Sequence, residues 1–468
     1  MKTLGIDSST QSVKALVYDC GTKKVVTTVS VNFGKELPEF GSPDGFLPDP
    51  DSLVRHANPL MWLAALDKVL AKLQATFDTS QIDAIGGDGQ QHGSVYLNAK
   101  WPAALAALDA SKTLDEQIAP CLARKTSPIW MDSSTSAECR ALDEKFGSRL
   151  QRVTGSPAIE RFTGPQIMKF AKCEPDAYAA TTRIHLVSSF LASVLAGADA
   201  PIDTGDGAGM NLLNLETLSW DEEICAFTAP GLISKLPGVA LPGAKTPLAL
   251  SAYFAKYGLR PGIPVVPFTG DNPASLVGTG ADKPGVAVIS LGTSDVFFAA
   301  MPRFQTDPDG CGHVFGNPSG GFMSLACVKN GSLAREKVRA MLGVDYKFFD
   351  ETAFDLTPPG NNGKRAFPFF ESEITPIHDA TGIDANFDWD AAKPEEKVRA
   401  VIEGQIGNIY DRTRWIGKFD VIRVTGGASR SRGIRDTIAA IFGARVETLD
   451  VPDSAALGGA LLAKGQDK

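Results

Sequence analysis

Two segments of similar pattern, one near the start of each half of the chain, constrain the fold most. Each has an apolar strand, a short polar turn and a second apolar strand, and the strands are residues 3–7, 13–18, 286–290 and 295–300. A threonine stands near the end of each turn, Thr10 in the first and Thr293 in the second. Apolar strands around a polar tip predict a β-hairpin. Two matched hairpins predict a duplicated chain, with two similar α/β domains around a cleft.

Three further predicted strands end in polar or glycine-rich turns. Residues 82–85 lead into 86–93, residues 264–268 into 269–273, and residues 421–425 into 426–429. Ligands bind at strand ends of this kind in open α/β sheets. Helical spacing of apolar residues predicts helices over 53–73, 431–442 and 454–464. The paired glycines at 458 and 459 indicate that the last of these packs closely against a neighbour.

The stretch 237–267 is the best candidate for a domain boundary. It carries six prolines and several glycines, a composition typical of segments that join compact domains. We therefore expect an N-terminal domain over residues 1–255 and a C-terminal domain over residues 256–468.

The composition argues against several classes of protein. The net charge of −8 disfavours nucleic acid or an acidic membrane surface as a partner. No apolar run approaches the roughly 18 residues that a membrane-spanning helix needs, and the acidic Asp7 stands where a signal peptide would be apolar. The seven scattered cysteines form no CxxC pair, which disfavours structural zinc and disulfides. We expect a cytoplasmic protein.

The turns themselves point to an anion. Turns of small and hydroxylic residues expose backbone N–H groups that can hold phosphate, although tight turns also use such residues for geometry alone. Two matched hairpin turns and the Gly-Gly-Ala-Ser turn at 426–429 favour the anion-binding interpretation. Neither a GxxxxGK[ST] motif nor a strand–GxGxxG–helix unit occurs, so a nucleotide would be held by another architecture.

Asp271 and Asp7 are the acidic candidates for chemistry. Asp271 follows a predicted buried strand and stands between Gly270 and Asn272. A carboxylate there suits general-base work on a hydroxyl in phosphoryl transfer, and an Asx-turn that caps the next helix is an equal alternative. Asp7 ends the first strand, where a carboxylate suits a magnesium ion held through water; a turn-stabilising role is equally open.

Three other residues suit a sugar pocket but have ordinary alternatives. His92 lies among amides in QQHG, which suits polyol hydroxyls, while a structural hydrogen bond is the commoner role of a single histidine. Arg161 suits a ligand or a surface salt bridge. Trp130 precedes Met131 and Asp132, in keeping with a sugar pocket or with simple packing. The residues alone favour a two-lobed α/β phosphotransferase and leave its substrate open.

The motifs resemble those of a known family. They are LGIDSSTQSVKALVYD (4–19), DGQQHGSVY (88–96), ERFTGPQI (160–167), FTGDNPASLVGTG (268–280), VISLGTSD (288–295) and VTGGASRSRGIRDTIAAIFGA (424–444). With these, the chain resembles the FGGY family of carbohydrate kinases over nearly its whole length. The resemblance implies an α/β fold of two ribonuclease-H-like domains of the actin and sugar-kinase superfamily, with ATP, Mg²⁺ and a sugar meeting in the cleft between them.

The resemblance also implies roles for single residues. Asp271 matches the catalytic base, and the sugar-contacting positions are His92, Arg161, Asp271 and Asn272. Asp7 matches the position near the magnesium ion. The positions expected to bind ATP are Thr10, Gly292, Thr293, Gly427, Ala428 and Ser431. Tyr346 is a looser match to an aromatic residue beside the adenine. The sugar pocket and first hairpin thus fall in the domain predicted over 1–255, and the base, second hairpin and adenosine turn in 256–468.

Two positions depart from the family's pattern. Ser9 replaces the glycine of Asp-x-Gly-Thr, which narrows the conformations open to the turn while adding a hydroxyl that suits phosphate. Ser431 stands where asparagine is frequent in the family. Neither change removes an essential group.

The sequence motifs QQHGS and ERFTG are similar to those of the eukaryotic branch of the family, which phosphorylates D-xylulose. The implied activity is ATP-dependent phosphorylation of D-xylulose to D-xylulose 5-phosphate. The alternatives are another ketose or polyol (ribulose, glycerol or gluconate), or a non-catalytic sensor of ATP or sugar. The expected partners are the sugar and ATP, without nucleic acid or membrane, and a homodimer is the assembly considered.

Overall fold

The computed structural model describes residues 1–241 and 247–465. The chain forms two compact units. Unit 1 comprises Met1–Gly278, Phe315–Phe322 and the segment that starts at Asp453, and unit 2 comprises Thr279–Val314 and Met323–Pro452. The structure thus divides the chain at Gly278 rather than after residue 255. Part of the predicted linker, residues 242–246, lies outside the described residues.

The reason for the later division is that residues beyond 255 build the first unit. Residue 255 itself lies inside the 3₁₀ helix Ala252–Tyr257. Two strands and a helix then follow, and both strands pair with the central strand of unit 1. Asp271 therefore belongs to unit 1 and not, as predicted, to the C-terminal domain.

Unit 1 is a mixed sheet with helices. Its strands are β1 (Lys2–Ser8), β2 (Ser12–Asp19), β3 (Lys24–Asn32), β4 (His56–Ala57), β5 (Ile82–Gly89), β6 (Ser94–Leu97), β7 (Ser127–Pro128), β8 (Arg183–Leu186), β9 (Ile202–Asp203), β10 (Leu213–Asn214), β11 (Ser219–Trp220), β12 (Val239–Ala240), β13 (Leu248–Ala249), β14 (Pro264–Val265) and β15 (Thr269–Gly270). The main sheet runs β13-β14-β5-β1-β2-β3, with β15 also paired to β5. Strands β1 and β2 are antiparallel, which confirms the first predicted hairpin, and β1 and β5 are parallel.

The helices of unit 1 cover both the sheet and a second core. They are α1 (Phe33–Glu36), α2 (Pro59–Thr76), α3 (Trp101–Ala106), α4 (Leu114–Ile118), α5 (Ser136–Phe146), α6 (Ser148–Thr154), α7 (Thr163–Cys173), α8 (Pro175–Ala180), α9 (Val187–Ala196), α10 (Thr204–Gly207), α11 (Glu222–Thr228), α12 (Leu232–Lys235) and α13 (Asp271–Gly278). Helix α2 begins later than the apolar spacing predicts, because Asn58 caps it by accepting a hydrogen bond from the Leu60 N–H and Pro59 occupies its first position.

Unit 2 is a second sheet in which part of the same pattern recurs. Its strands are β16 (Val286–Leu291), β17 (Asp295–Met301), β18 (His313–Gly316, whose last residues belong to unit 1), β19 (Phe322–Val328), β20 (Ala366–Phe369), β21 (Glu373–Ile374), β22 (Ile377–His378), β23 (Gly382–Ala385), β24 (Val421–Thr425) and β25 (Arg445–Thr448). The main sheet runs β18-β19-β17-β16-β24-β25. Strand β16 pairs antiparallel with β17 and parallel with β24, as β1 pairs with β2 and β5. The predicted second hairpin is therefore confirmed.

The helices of unit 2 are α14 (Ser332–Leu342), α15 (Ala353–Asp355), α16 (Pro394–Thr413) and α17 (Arg432–Phe442). A last helix, α18 (Ser454–Ala463), belongs to unit 1. Its backbone lies against that of β1 and β5, so that a Cβ at Gly459 would stand 2.6 Å from the Cα of Gly87. The close packing predicted from the paired glycines is thus confirmed. Among the described helices, none combines the length and apolar character needed to cross a membrane.

Candidate active site

Three carboxylates of unit 1 lie at the ends of three paired strands. Asp7 is the penultimate residue of β1, Asp88 that of β5, and Asp271 directly follows β15. The register places Asp7 beside Asp88 across β1 and β5, and Gly270 beside Gly89 across β15 and β5. Because these strands are parallel, their carboxyl ends meet at one edge of the sheet, where ligands bind in folds of this type.

Asp88 is fully buried, and among the described residues no N–H or O–H group donates to its carboxylate, which lies within hydrogen-bonding reach of the carboxyl group of Asp7. Burial raises its pKa well above the usual range, and the nearby charges of Asp7 and Asp271 raise it further. Burial also raises the pKa of Asp7, against the attraction of the Lys14 ammonium 3.9 Å away. One oxygen of Asp7 is buried without a partner as well. Unpaired carboxylate oxygens of this kind are costly unless a cation or water meets them.

These donors fit a hydrated magnesium ion. Carboxylate oxygens are the ligands that magnesium prefers, and it usually keeps several of its waters. Among the described residues, no three His, Cys, Asp or Glu side chains form a group able to hold a metal directly. Asp7 and Asp88 would therefore hold the ion largely through its waters, as the sequence predicts for Asp7.

Asp271 is the first residue of α13. Burial of its carboxyl group, and secondarily the charge of Asp7, raises its pKa to about 7, although a backbone N–H bond from Asn272 (2.9 Å) favours the ionised form. The residue still keeps some solvent-accessible surface. A carboxylate with a pKa near neutrality is suited to accept a proton and release it again. Its position as first residue of α13 and its bond from the Asn272 N–H are in keeping with the predicted role at the helix start. Its role as a base stays a prediction.

Gln91 connects Asn272 to the rest of the pocket. The Asn272 side-chain amide donates to Gln91 Oε1 at 2.9 Å, and the Gln91 amide donates to the Gly205 carbonyl at 3.3 Å. Both amide orientations are therefore fixed by hydrogen bonds. Gln91 and Asp88 were not among the residues predicted for the site, although both lie in the segment DGQQHG that ends β5.

His92 has a defined tautomer. Its Nδ1 lies 2.8 Å from the carbonyl oxygen of Gly209, and because a carbonyl only accepts, Nδ1 carries the proton and Nε2 of the neutral ring is an acceptor. The ring stacks on Phe162 with centroids 4.4 Å apart. A Cβ at Gly209 would stand 2.7 Å from Nδ1, so this close approach requires glycine.

Arg161 approaches the same aromatic ring. Its guanidinium carbon is 5.9 Å from the centroid of Phe162. A pocket of about 270 Å³ opens beside it, lined by Trp130, Met131, Asp132, Ser133, Glu160 and Arg161. His92 stacks on Phe162, the residue next to Arg161, and the Asn272 amide bonds to Gln91, the residue before His92. Contact of these residues and Asp271 with a sugar stays a prediction.

The first hairpin turn is closed by its own serines. The Ser9 N–H and hydroxyl both donate to the carbonyl of Ser12, at 3.0 and 3.1 Å. Ser9, which stands where the family has glycine, therefore uses its hydroxyl for a hydrogen bond inside the turn. The next residue, Thr10, accepts a hydrogen bond from the Trp130 indole at 2.8 Å.

Unit 2 carries the second group of predicted residues. Gly292 and Thr293 lie in the turn between β16 and β17, and Thr293 is exposed. Gly427 and Ala428 lie in the 3₁₀ helix Gly427–Arg430, one residue after the end of β24. Since β16 and β24 are parallel neighbours, with Ser290 beside Thr425, both turns stand at the same edge of this sheet.

Two further predicted residues of unit 2 have defined contacts. The Ser431 hydroxyl caps α17 by accepting from the Ile434 N–H at 3.4 Å, and it also bonds to the carboxylate of Asp350. The Tyr346 ring lies 4.2 Å from the guanidinium of Arg339, and its hydroxyl donates to Glu336 at 3.0 Å. Tyr346 is 59% exposed, so one part of its ring remains open to a ligand.

Comparison with known proteins places the first boundary at the same residue, 278. Residues 2–278 match the N-terminal domain of the FGGY family of carbohydrate kinases, and residues 287–464 match its C-terminal domain. The chain belongs to the FGGY family of carbohydrate kinases. The predicted family, fold class and enzyme class are therefore confirmed. As a carbohydrate kinase, the protein uses ATP and a sugar as its substrates.

Individual family members resemble the whole chain. Xylulose kinase 2 of Arabidopsis thaliana is 40% identical over 98% of this chain and 86% of its own length. Xylulose kinase of Rattus norvegicus is 41% identical over 98% of this chain and 87% of its own length. Among solved structures, xylulose kinase from Bifidobacterium adolescentis has a TM-score of 0.81 at 24% identity, over 99% of this chain and 92% of its own. That structure supports the fold alone.

Proposed function

We propose that this kinase transfers the γ-phosphoryl group of ATP to D-xylulose and forms D-xylulose 5-phosphate. The observation that carries the substrate is the 40–41% identity, over 98% of the chain, to proteins named xylulose kinases in a plant and a mammal. The geometry of unit 1 supports the chemistry, because a carboxylate with a pKa of about 7 lies among fixed hydrogen-bonding side chains.

Asp271 is the proposed general base. Its carboxylate accepts the proton of the terminal sugar hydroxyl as that oxygen attacks the γ-phosphorus of ATP and the bond to the β-phosphate oxygen breaks. ADP leaves, and the proton on Asp271 passes to water after the product departs. Asn272, His92 and Arg161 orient the sugar, with the His92 ring held by its Nδ1 bond to the Gly209 carbonyl and its stacking on Phe162.

The phosphates of ATP require positive charge and N–H donors. Asp7 and Asp88 are the residues we assign to the magnesium ion, which supplies charge neutralisation on the phosphates when bound. The residues we assign to ATP are Thr10, Gly292, Thr293, Gly427, Ala428 and Ser431. Exposed glycine and threonine turns of this kind present backbone N–H groups and hydroxyls to phosphate.

A substrate panel tests the proposal. ADP release from Mg²⁺–ATP is measured against D-xylulose, D-ribulose, L-ribulose, glycerol and D-gluconate in a coupled assay. We expect the highest kcat/KM for D-xylulose. A preference for another sugar would retain the kinase and overturn the substrate. If none of the sugars stimulates ADP release, the result would favour a protein that senses ATP or sugar without catalysis.

A further inference from the structure

The indole of Trp130 joins the pocket beside Arg161 to the first hairpin turn. Trp130 lines that pocket, and its Nε1 donates to the Thr10 hydroxyl oxygen at 2.8 Å across 120 residues of sequence. Both residues belong to unit 1. Trp130 therefore lines a pocket together with Arg161, a residue proposed to bind the sugar, and also contacts Thr10, a residue proposed to bind phosphate.

This hydrogen bond has only one possible direction. An indole N–H donates and cannot accept, whereas a threonine hydroxyl can do both. Thr10 is therefore the acceptor, and its own proton is left for another partner. Within residues 1–241 and 247–465, that proton has no protein acceptor. Thr10 is also partly exposed, so the proton is accessible to a ligand.

The loop that carries Trp130 is held rigidly. Asp132, which is fully buried, accepts hydrogen bonds from the backbone N–H of Arg55 at 2.9 Å and from the Gln166 side chain at 2.8 Å. The same Gln166 amide donates to the carbonyl of Glu160 at 3.0 Å. The Trp130 loop and the Arg161 loop are thus tied to each other, and the indole is placed by buried contacts rather than by its exposed ring.

The turn that carries Thr10 is also held in place. Ser9 closes the turn through Ser12, and the backbone of Gly45 packs against the carbonyl of Thr10 so closely that a Cβ there would collide with it. Both Trp130 and Thr10 are therefore held in place. The O–H bond of Thr10 can point only away from the side of the oxygen that the indole N–H occupies.

We propose that Trp130 is a positioning residue for ATP: its indole N–H occupies the acceptor side of the Thr10 hydroxyl and so directs the Thr10 proton to a phosphate oxygen. The inference rests on the proposed function only in taking Thr10 as a phosphate ligand.

A double-mutant cycle on the full chain tests this role. Trp130→Phe keeps an aromatic ring and removes the N–H, and Thr10→Val keeps the shape and removes the hydroxyl. The dissociation constant of the Mg²⁺ complex of β,γ-imido-ATP is measured by calorimetry without sugar. We expect Trp130→Phe to weaken nucleotide binding about two- to tenfold, the range of one hydrogen bond. In the Thr10→Val background the same change should have no further effect, because Trp130 acts through that hydroxyl.

Trp220→Phe is the matched control. It removes another indole N–H bond of unit 1, to the Pro237 carbonyl at 2.8 Å, and should leave nucleotide affinity unchanged. The inference is overturned if Trp130→Phe leaves nucleotide affinity unchanged and raises only the KM for sugar, or if the two substitutions add fully. Because the calorimetry needs no sugar, its result stays distinct from failure of the substrate panel.

Discussion

Asp271 is the residue on which the proposed chemistry depends most directly. Its pKa of about 7 means that the fraction able to accept a proton rises as the pH rises through 7. We expect kcat to fall about tenfold for each pH unit below that value, and Asp271→Asn to lower kcat by about 10²–10⁴-fold. Sugar binding should persist, because asparagine keeps the side-chain oxygen that accepts from the Asn272 N–H. Steady-state kinetics across pH and sugar titration measure both effects.

The control for that substitution is Asp176→Asn, which removes an exposed carboxylate of the same unit. It should leave both kcat and the pH profile as they are. Turnover close to that of the parent chain in Asp271→Asn would exclude the residue as the base.

At the scale of single residues, the sequence indicates which side chains lie at strand ends. Asp7, His92 and Asp271 could be chosen as candidates because each stands at or shortly after the end of an apolar strand, where the structure also places them; their roles stay predictions. The link between Trp130 and Thr10 could not, since its partners are 120 residues apart and only the folded chain brings them together. Asp88 was missed for a similar reason: its position next to Asp7 depends on the register between β1 and β5.

Among the elements, the turn after β24 depends on a single glycine. Gly426 has φ = +88° and ψ = 173°, and a Cβ there would stand 2.5 Å from the Leu291 carbonyl oxygen. This backbone region is nearly exclusive to glycine and costs other residues about 1–3 kcal/mol. We expect Gly426→Ala to lower the melting temperature by about 2–4 °C per kcal/mol lost and to raise the KM for ATP. Thermal unfolding monitored by circular dichroism, with kinetics, measures both.

The neighbouring glycine provides the comparison. An added Cβ at Gly427 meets no heavy atom within 4 Å, so Gly427→Ala should leave the melting temperature close to that of the parent chain. Equal melting temperatures for the two variants would contradict the strain assigned to Gly426.

Element boundaries were less predictable than the elements. Both hairpins follow from alternating apolar residues, whereas the division between the units was placed too early. The prolines between 237 and 267 look like a linker, yet β14 begins at Pro264 and pairs with β5. Amino-acid composition shows the prolines but not the hydrogen bonds between β14 and β5. Those hydrogen bonds decide which unit the short strand belongs to.

For the whole molecule, helix α18 makes unit 1 discontinuous in sequence. Gly459 lies against Gly87 of β5 with no room for a methyl group. We expect Gly459→Ala to cost about 1–3 kcal/mol, the usual range for overpacking. Hydrogen exchange should then accelerate in β1 and β5, which α18 covers, and stay unchanged in β16 and β24 of unit 2.

Gly238→Ala is the control in the same unit, because an added Cβ there meets nothing within 4 Å. Faster exchange confined to β16 and β24 in the Gly459 variant would contradict the assignment of α18 to unit 1.

The return of α18 also has a consequence for how the protein is made. A ribosome releases β1 and β5 early, but it delivers α18 only after all of unit 2 has been synthesised. Until then, the backbone surface around Gly87 that α18 covers stays open on the nascent chain. The first unit to emerge is therefore the last to be completed, and the interval during which it needs protection from aggregation is set by the time taken to translate unit 2.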